Sequence, residues 1–99
     1  MTDEIHNTPP AFTATQGQYL AFLYAYSLLN RRPPAERDFQ EFFEVTPPSV
    51  HQMILTLERL GFIHRTPGVA RSIALLIPPE SLPILRSATQ PVKFTVPRY

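Results

Sequence analysis

The sequence predicts a mainly helical domain of three helices followed by a small β-hairpin. Three observations predict it: twelve prolines divide the 99 residues into short segments, helical spacing of apolar residues recurs in three segments, and strand-like alternation follows. An apolar fraction of 43% supports a modest core, and a net charge of +1 with 17% charged residues argues against global disorder. One domain is therefore expected.

The composition also excludes several classes of function. The chain has no cysteine, which excludes a disulfide framework and thiol chemistry and fits a cytoplasmic location. Its three histidines share no ligand spacing, and its three glycines form no phosphate-binding loop. No apolar run approaches the roughly 18 residues of a membrane span. We expect no enzyme, no metal or other cofactor, no small-molecule ligand and no membrane association.

The first predicted helix runs from a capping box at Thr13–Gln16 to Asn30, after a polar arm at 1–12 that we expect to be mobile. Two apolar stripes follow this helix. The first stripe comprises Tyr19, Phe22, Leu23, Tyr26 and Leu29. The second comprises Leu20, Tyr24 and Leu28, and it needs a cover of its own, either the C-terminal tail or a second subunit. It predicts a homodimer.

A short second helix is predicted at about Glu36–Glu44, after Pro33 and Pro34. We expect it to bury Phe39, Phe42 and Phe43 and to leave solvated Glu36, Asp38, Glu41 and Glu44. Thr46 and Pro47 are typical of a helix start, and the third helix is predicted to run to Leu60 and end at Gly61. Its predicted apolar stripe is Val50, Met53, Ile54, Leu57 and Leu60.

Two strands are predicted after the third helix, at Phe62–Arg65 and Arg71–Ile77. The residues expected to face inward are Ile63, Ile73, Leu75 and Ile77. The proline-rich tail, 78–99, allows one helical turn at Glu80–Leu85 and a last strand at 92–96. Three helices and a hairpin over 13–77 have the order of a winged helix-turn-helix, whose third helix reads DNA.

Charge is divided along the chain, with three basic and six acidic residues in 1–45 but six basic and two acidic residues in 46–99. A basic half points to a polyanion such as double-stranded DNA. The polar face of the third helix carries little charge, unlike most solvated faces, and its side chains suit base edges. We predict base reading by Ser49, His51, Gln52 and Thr56. We predict phosphate contacts by Thr46, Arg31, Arg32, Arg59, Arg65 and Arg71.

Several segments resemble the DNA-binding domain of LexA-type repressors. They are the capping box at Thr13, the Arg32-Pro33-Pro34 loop, the run 48–63, and 65–73 with an arginine on each side of a Pro-Gly tip. The resemblance covers about 12–77 and implies a sequence-specific DNA-binding regulator that acts as a repressor. MarR-type regulators share the architecture more distantly. The alternatives are a winged helix for protein–protein assembly and one that binds RNA.

The sequence departs from the family's pattern in three places. Ala35 stands where the family usually has a threonine that caps the second helix. In the turn that follows the second helix, the family commonly has a glycine, and here Glu44 stands nearby. The family's repressors also continue into a self-cleaving peptidase with a Ser/Lys dyad, whereas this sequence holds one lysine, Lys93. We therefore expect no self-cleavage.

Overall fold

The computed structural model describes residues 11–86, which form three α-helices, a two-stranded antiparallel hairpin and one 3-10 turn. The helices are α1 (Ala14–Asn30), α2 (Glu36–Phe43) and α3 (Pro47–Arg59). The strands are β1 (Ile63–His64) and β2 (Ala74–Leu75), and the 3-10 turn is Pro79–Ser81. The predicted fold class is confirmed. Residues 1–10 of the predicted arm and the predicted strand at 92–96 lie outside the described residues.

A side chain accepts a backbone amide at the start of each helix, in two different ways. The Thr13 hydroxyl accepts the Gln16 amide at 3.1 Å, and the Gln16 side chain accepts the Thr13 amide at 2.9 Å, which confirms the predicted capping box. Thr46 caps α3 by accepting the Ser49 amide at 3.4 Å. Ala35 has no side-chain acceptor to cap α2, but the Asp38 carboxylate accepts the Ala35 amide at 2.8 Å.

The core is built around aromatic rings where α1 meets α2. Tyr19 stacks on Phe43 with ring centroids 4.5 Å apart, and Phe22 lies 4.9 Å from Phe39. As predicted, Phe39 and Phe43 are buried, with Phe42 partly buried beside them. The buried residues of α3 and of the hairpin that complete this core are Val50, Ile54, Leu57, Ile63 and Ile73. These contacts fix α3 against α2, so the other face of α3 points outward.

The prediction of two separate stripes on α1 is wrong. Leu20 is fully buried together with Tyr19, Phe22 and Leu23 of the first stripe, because the rings of α2 cover one side of α1 and β2 covers another. The last turn of α1 extends past this cover, so Leu29 is 80% exposed despite its predicted place in the core. We call Tyr24, Leu28 and Leu29 the exposed end of α1.

The hairpin is shorter than predicted. Only two residue pairs align, Ile63 with Leu75 and His64 with Ala74. Arg71 has a φ of 57°, in the left-handed region, and this turn keeps 71–73 out of the return strand. The predicted inward alternation is confirmed, since Ile63 and Ile73 are buried while Leu75 and Ile77 are partly buried. At the end of α3, Leu60 is 48% exposed, and its predicted place in the apolar stripe is wrong.

Both ends of the described chain lie on the start of α1. Phe12, which the prediction placed in the arm, packs edge-on against Phe62 with ring centroids 5.9 Å apart. A Cβ atom at Gly17 would lie 2.9 Å from the Phe12 ring and 3.1 Å from Pro83, so this close approach requires glycine. The Gln18 side chain holds the C-terminal segment by donating to the carbonyl of Ile84 at 2.9 Å.

Glu44 joins α2 to α3 in the left-handed conformation, with φ 57° and ψ 49°. This conformation costs a side-chain-bearing residue roughly 1–2 kcal/mol. We expect Glu44→Gly to raise the free energy of unfolding by up to about 1 kcal/mol, after the added entropy of the unfolded chain is subtracted. The same substitution at Glu41, inside α2, should lower it by about 1 kcal/mol. Urea unfolding of both variants measures the change in the free energy of unfolding. A destabilised Glu44→Gly protein would contradict a left-handed conformation at Glu44.

Candidate nucleic-acid interface

The outer face of α3 carries the predicted base-reading residues. Ser49, His51 and Gln52 are exposed, whereas Thr56 is partly buried. Arg59, at the end of the helix, is exposed on the same side as predicted. The face follows from helical spacing, because Val50, Ile54 and Leu57 point into the core and turn their neighbours outward. It presents hydroxyl, imidazole and amide groups along two turns of the helix.

The first turn of α3 offers groups that suit a phosphate. Thr46, Pro47 and Pro48 are exposed there, so the positive end of the helix dipole meets solvent. The hydroxyl groups of Thr46 and Ser49 lie 2.9 Å apart in a hydrogen bond. Ser49, predicted to read bases, therefore shares its hydroxyl with the cap in the free protein.

His51 is paired across the helix-turn-helix. Its Nδ1 lies 3.2 Å from a carboxylate oxygen of Glu36, at the start of α2. The prediction that Glu36 is simply solvated is therefore wrong. When neutral His51 donates its Nδ1–H to this carboxylate, its Nε2 becomes an acceptor on the outer side. The pair thus occupies Nδ1 and leaves Nε2 as the ring nitrogen that can meet a ligand.

The two arginines that flank the wing tip are both engaged by carboxylates. Arg65 donates its Nε–H to Glu58 on α3 at 2.9 Å, and the two side chains are 21% and 32% exposed. Arg71 Nη1 lies 3.2 Å from the Asp38 carboxylate on α2. The prediction that Asp38 is simply solvated is wrong.

Arg71 Nη1 also reaches two further acceptors. It lies 3.2 Å from the Tyr26 hydroxyl on α1 and 3.2 Å from the carbonyl of Pro33. Hydrogen bonding to Tyr26, supported by the charge of Asp38, raises the pKa of Arg71 above its ordinary value. A single nitrogen with two hydrogens therefore links the wing to α1, to the 31–35 loop and to α2.

The wing tip is closed by its own hydrogen bonds. The Ser72 hydroxyl accepts the Thr66 amide at 2.9 Å and lies 2.9 Å from the Val69 carbonyl, to which it can donate. Gly68 takes a φ of 80°, which favours glycine at the tip. A cavity of about 320 Å³ separates the tip from the start of α2. The tip is thus a compact loop that stands off the helices.

Arg31 and Arg32 are exposed in the loop after α1. Arg31 ends the helix in the left-handed conformation, with its amide bonded to the carbonyl of Ser27 at 2.9 Å. Arg32 directly precedes Pro33, whose carbonyl faces Arg71, so this basic loop lies at the base of the wing.

Sequence reasoning missed the acidic partners Asp38 and Glu58. Asp38 stands three residues after Ala35, the usual place of an acidic group that caps a helix, so its capping role had a local signal. Its contact with Arg71 had none, since 33 positions separate the two residues. Glu58 lies at the end of α3 and Arg65 lies beyond the turn that follows it. The regular spacing of a helix or strand therefore does not predict their contact.

Within 11–86, no three side chains of the metal-ligating types come together to hold an ion. None of the helices in that range is both long and apolar enough to cross a bilayer.

The chain was compared with known proteins. No protein-family model matches it. It is 38% identical to the LexA repressor of Thermosipho africanus (strain TCF52B) over 72 residues, which are 73% of this chain and 36% of that protein. The predicted resemblance is confirmed. The chain is also 36% identical over 70 residues to the LexA repressor of Thermosipho melanesiensis (strain DSM 12029 / CIP 104789 / BI429), or 71% of this chain and 35% of that protein. It spans about a third of the length of these LexA repressors.

Proposed function

We propose that the chain is a sequence-specific DNA-binding regulator of transcription, acting as a repressor in the cytoplasm. Its α3 lies in the major groove of double-stranded DNA, and its wing lies on the backbone or in the minor groove. The observation that carries this proposal is the exposed polar face of α3 beside a wing flanked by two arginines. The similarity to proteins named as repressors supports it.

The outer face of α3 supplies the base-reading groups. Gln52 is exposed and offers a donor and an acceptor together, which match the N6 and N7 edge of adenine. His51 offers Nε2, and Ser49 and Thr56 offer hydroxyl groups that accept or donate. Protein–protein assembly would need no such base-reading face.

Basic groups around this face supply contacts to phosphates. The groove-facing side is flanked by Arg59 and Arg65. One phosphate suits Thr46 and the first amides of α3. The basic surface is extended at the base of the wing by Arg31 and Arg32. Such contacts raise affinity for any duplex and depend on salt. RNA duplexes are disfavoured because their deep, narrow major groove excludes side chains.

A homodimer forms part of this proposal. The exposed end of α1 places Tyr24 and Leu28 one helical turn apart, with exposed fractions of 39% and 64%. A second copy seated there would remove apolar surface from water. Two copies would also bring two α3 helices to one operator, as paired half-sites require.

Light scattering tests the dimer. We expect the wild-type protein to be a dimer and Leu28→Glu to be a folded monomer, because a charge at this exposed position opposes association and leaves the core intact. The control is Ile84→Glu, in the C-terminal segment that lies on the start of α1, where the Ile84 side chain is 75% exposed. This variant should remain a dimer. A wild-type monomer, both free and on DNA, would remove the homodimer from the proposal.

Base reading is tested at Gln52. We expect Gln52→Ala to weaken binding to a duplex selected from random sequences by about 1–3 kcal/mol, because the contacts to one base are lost. Binding to unselected duplex DNA should change far less, since phosphates supply that affinity. The free energy of unfolding should stay within about 0.5 kcal/mol of wild type, as for an exposed residue.

The matched control is Thr15→Ala, an exposed position on α1, which should bind both duplexes as the wild type does. Electrophoretic shift or fluorescence anisotropy at one salt concentration measures all three proteins. Equal losses on both duplexes for Gln52→Ala would contradict base reading by this residue. A wild-type protein that binds RNA but no DNA duplex would favour the alternative function.

A further inference from the structure

The loop of the wing is held to the rest of the domain mainly by three side chains. Its strands share two residue pairs, Ile63 with Leu75 and His64 with Ala74, and the chain between them forms a loop of nine residues, 65–73. Within that loop, Ile73 is buried in the core and Arg65 is paired with Glu58 on α3. The remaining connection is Arg71, which reaches α1, the 31–35 loop and α2 through one nitrogen.

Asp38 is the centre of this connection. One of its oxygens, Oδ2, accepts both the Ala35 amide at 2.8 Å and an Arg71 N–H at 3.2 Å. The same carboxylate thus begins α2 and holds the wing. Asp38 is 18% exposed and Arg71 33% exposed, so the contact is partly shielded from water. The left-handed backbone at Arg71 aims its side chain back toward the helices.

We propose that Asp38 and Arg71 form a latch that positions the wing relative to α3 for DNA binding. Both are therefore positioning residues, and Arg71 serves DNA chiefly through this latch. The inference rests on the proposed function, since it concerns how that same interface is assembled. It assigns a role in recognition to an acidic residue, which a DNA phosphate would repel.

The direction in which one substitution changes the affinity for DNA separates the latch from a competing interpretation. If Asp38 merely withheld Arg71 from a phosphate, removing its charge would release Arg71 and tighten binding. If Asp38 positions the wing, the same change weakens binding, although it removes a negative charge that repels DNA. Asp38→Asn suits the test because asparagine keeps a side-chain oxygen that can still accept the Ala35 amide but loses the charge that strengthens the hydrogen bond from Arg71.

The experiment measures affinity for a 24-base-pair duplex of mixed sequence and for a duplex selected from random sequences, at a temperature where every variant is folded. Glu41→Gln is the matched control, because it removes one charge from an exposed position of the same helix. We expect Asp38→Asn to bind the selected duplex about 3- to 10-fold more weakly than Glu41→Gln. Arg71→Gln should show a similar loss. Affinity of Asp38→Asn equal to or tighter than that of Glu41→Gln would overturn the latch.

Amide hydrogen exchange of the free protein tests the latch without DNA. We expect Asp38→Asn to speed exchange at Thr66 and Val69, whose amides are bonded within the wing, and to leave Ile54 and Leu57 in α3 unchanged. Unchanged exchange in the wing would also overturn the latch. A wild-type protein that binds neither duplex would refute the proposed function. Faster amide exchange in the wing of Asp38→Asn would even then show that the contact between Asp38 and Arg71 holds the wing.

Discussion

The stacking of α1 on α2 is the contact on which the rest of the structure depends. Tyr19 lies between Phe39 and Phe43, with ring centroids 5.5 Å and 4.5 Å away, and Phe22 closes the cluster from the next turn. Aromatic side chains bury more surface than any others, so a domain of this size gains much of its stability there. The cluster fixes the direction of α2, and the tight turn at Glu44 then fixes that of α3. The outward polar face of α3 is a consequence of this packing.

The ion pairs between side chains lie outside the core, where they connect the wing and the exposed face of α3 to neighbouring elements. Three acidic side chains lie around the candidate interface, and each is paired with a basic partner: Glu36 with His51, Asp38 with Arg71, and Glu58 with Arg65. Exposed ion pairs contribute little to the free energy of folding. They do orient long side chains, and an oriented side chain loses less entropy when it binds. A basic surface that contains carboxylates can therefore be better organised for DNA than one without them.

Local signals predicted most of the fold and little of the geometry of the candidate interface. The capping box at Thr13, the cap at Thr46 and the phenylalanines of α2 depend on neighbours within four residues, and all are confirmed. Leu20 is buried in a helix that β2, which is distant in sequence, also covers, so helical spacing alone assigned this residue to the wrong face. The contact of Arg71 with Asp38 depends on a left-handed turn in the wing, which no residue pattern indicated. The exposed side chains of α3 could be predicted from the sequence because the core residues of the same helix define its outer face.

Whether the outer face of α3 and the wing form the DNA-binding surface can be tested by titrating the ¹⁵N-labelled protein with a duplex selected from random sequences. Amide chemical shifts report which residues respond. We expect the largest shift changes on residues 46–56 and on the wing at 64–72, with smaller changes on the 31–35 loop. The buried part of α1 at 19–23 should change little. Shift changes confined to the exposed end of α1, or none at saturating DNA, would contradict the account, because the outer face of α3 and the wing would then not be the surface that meets DNA.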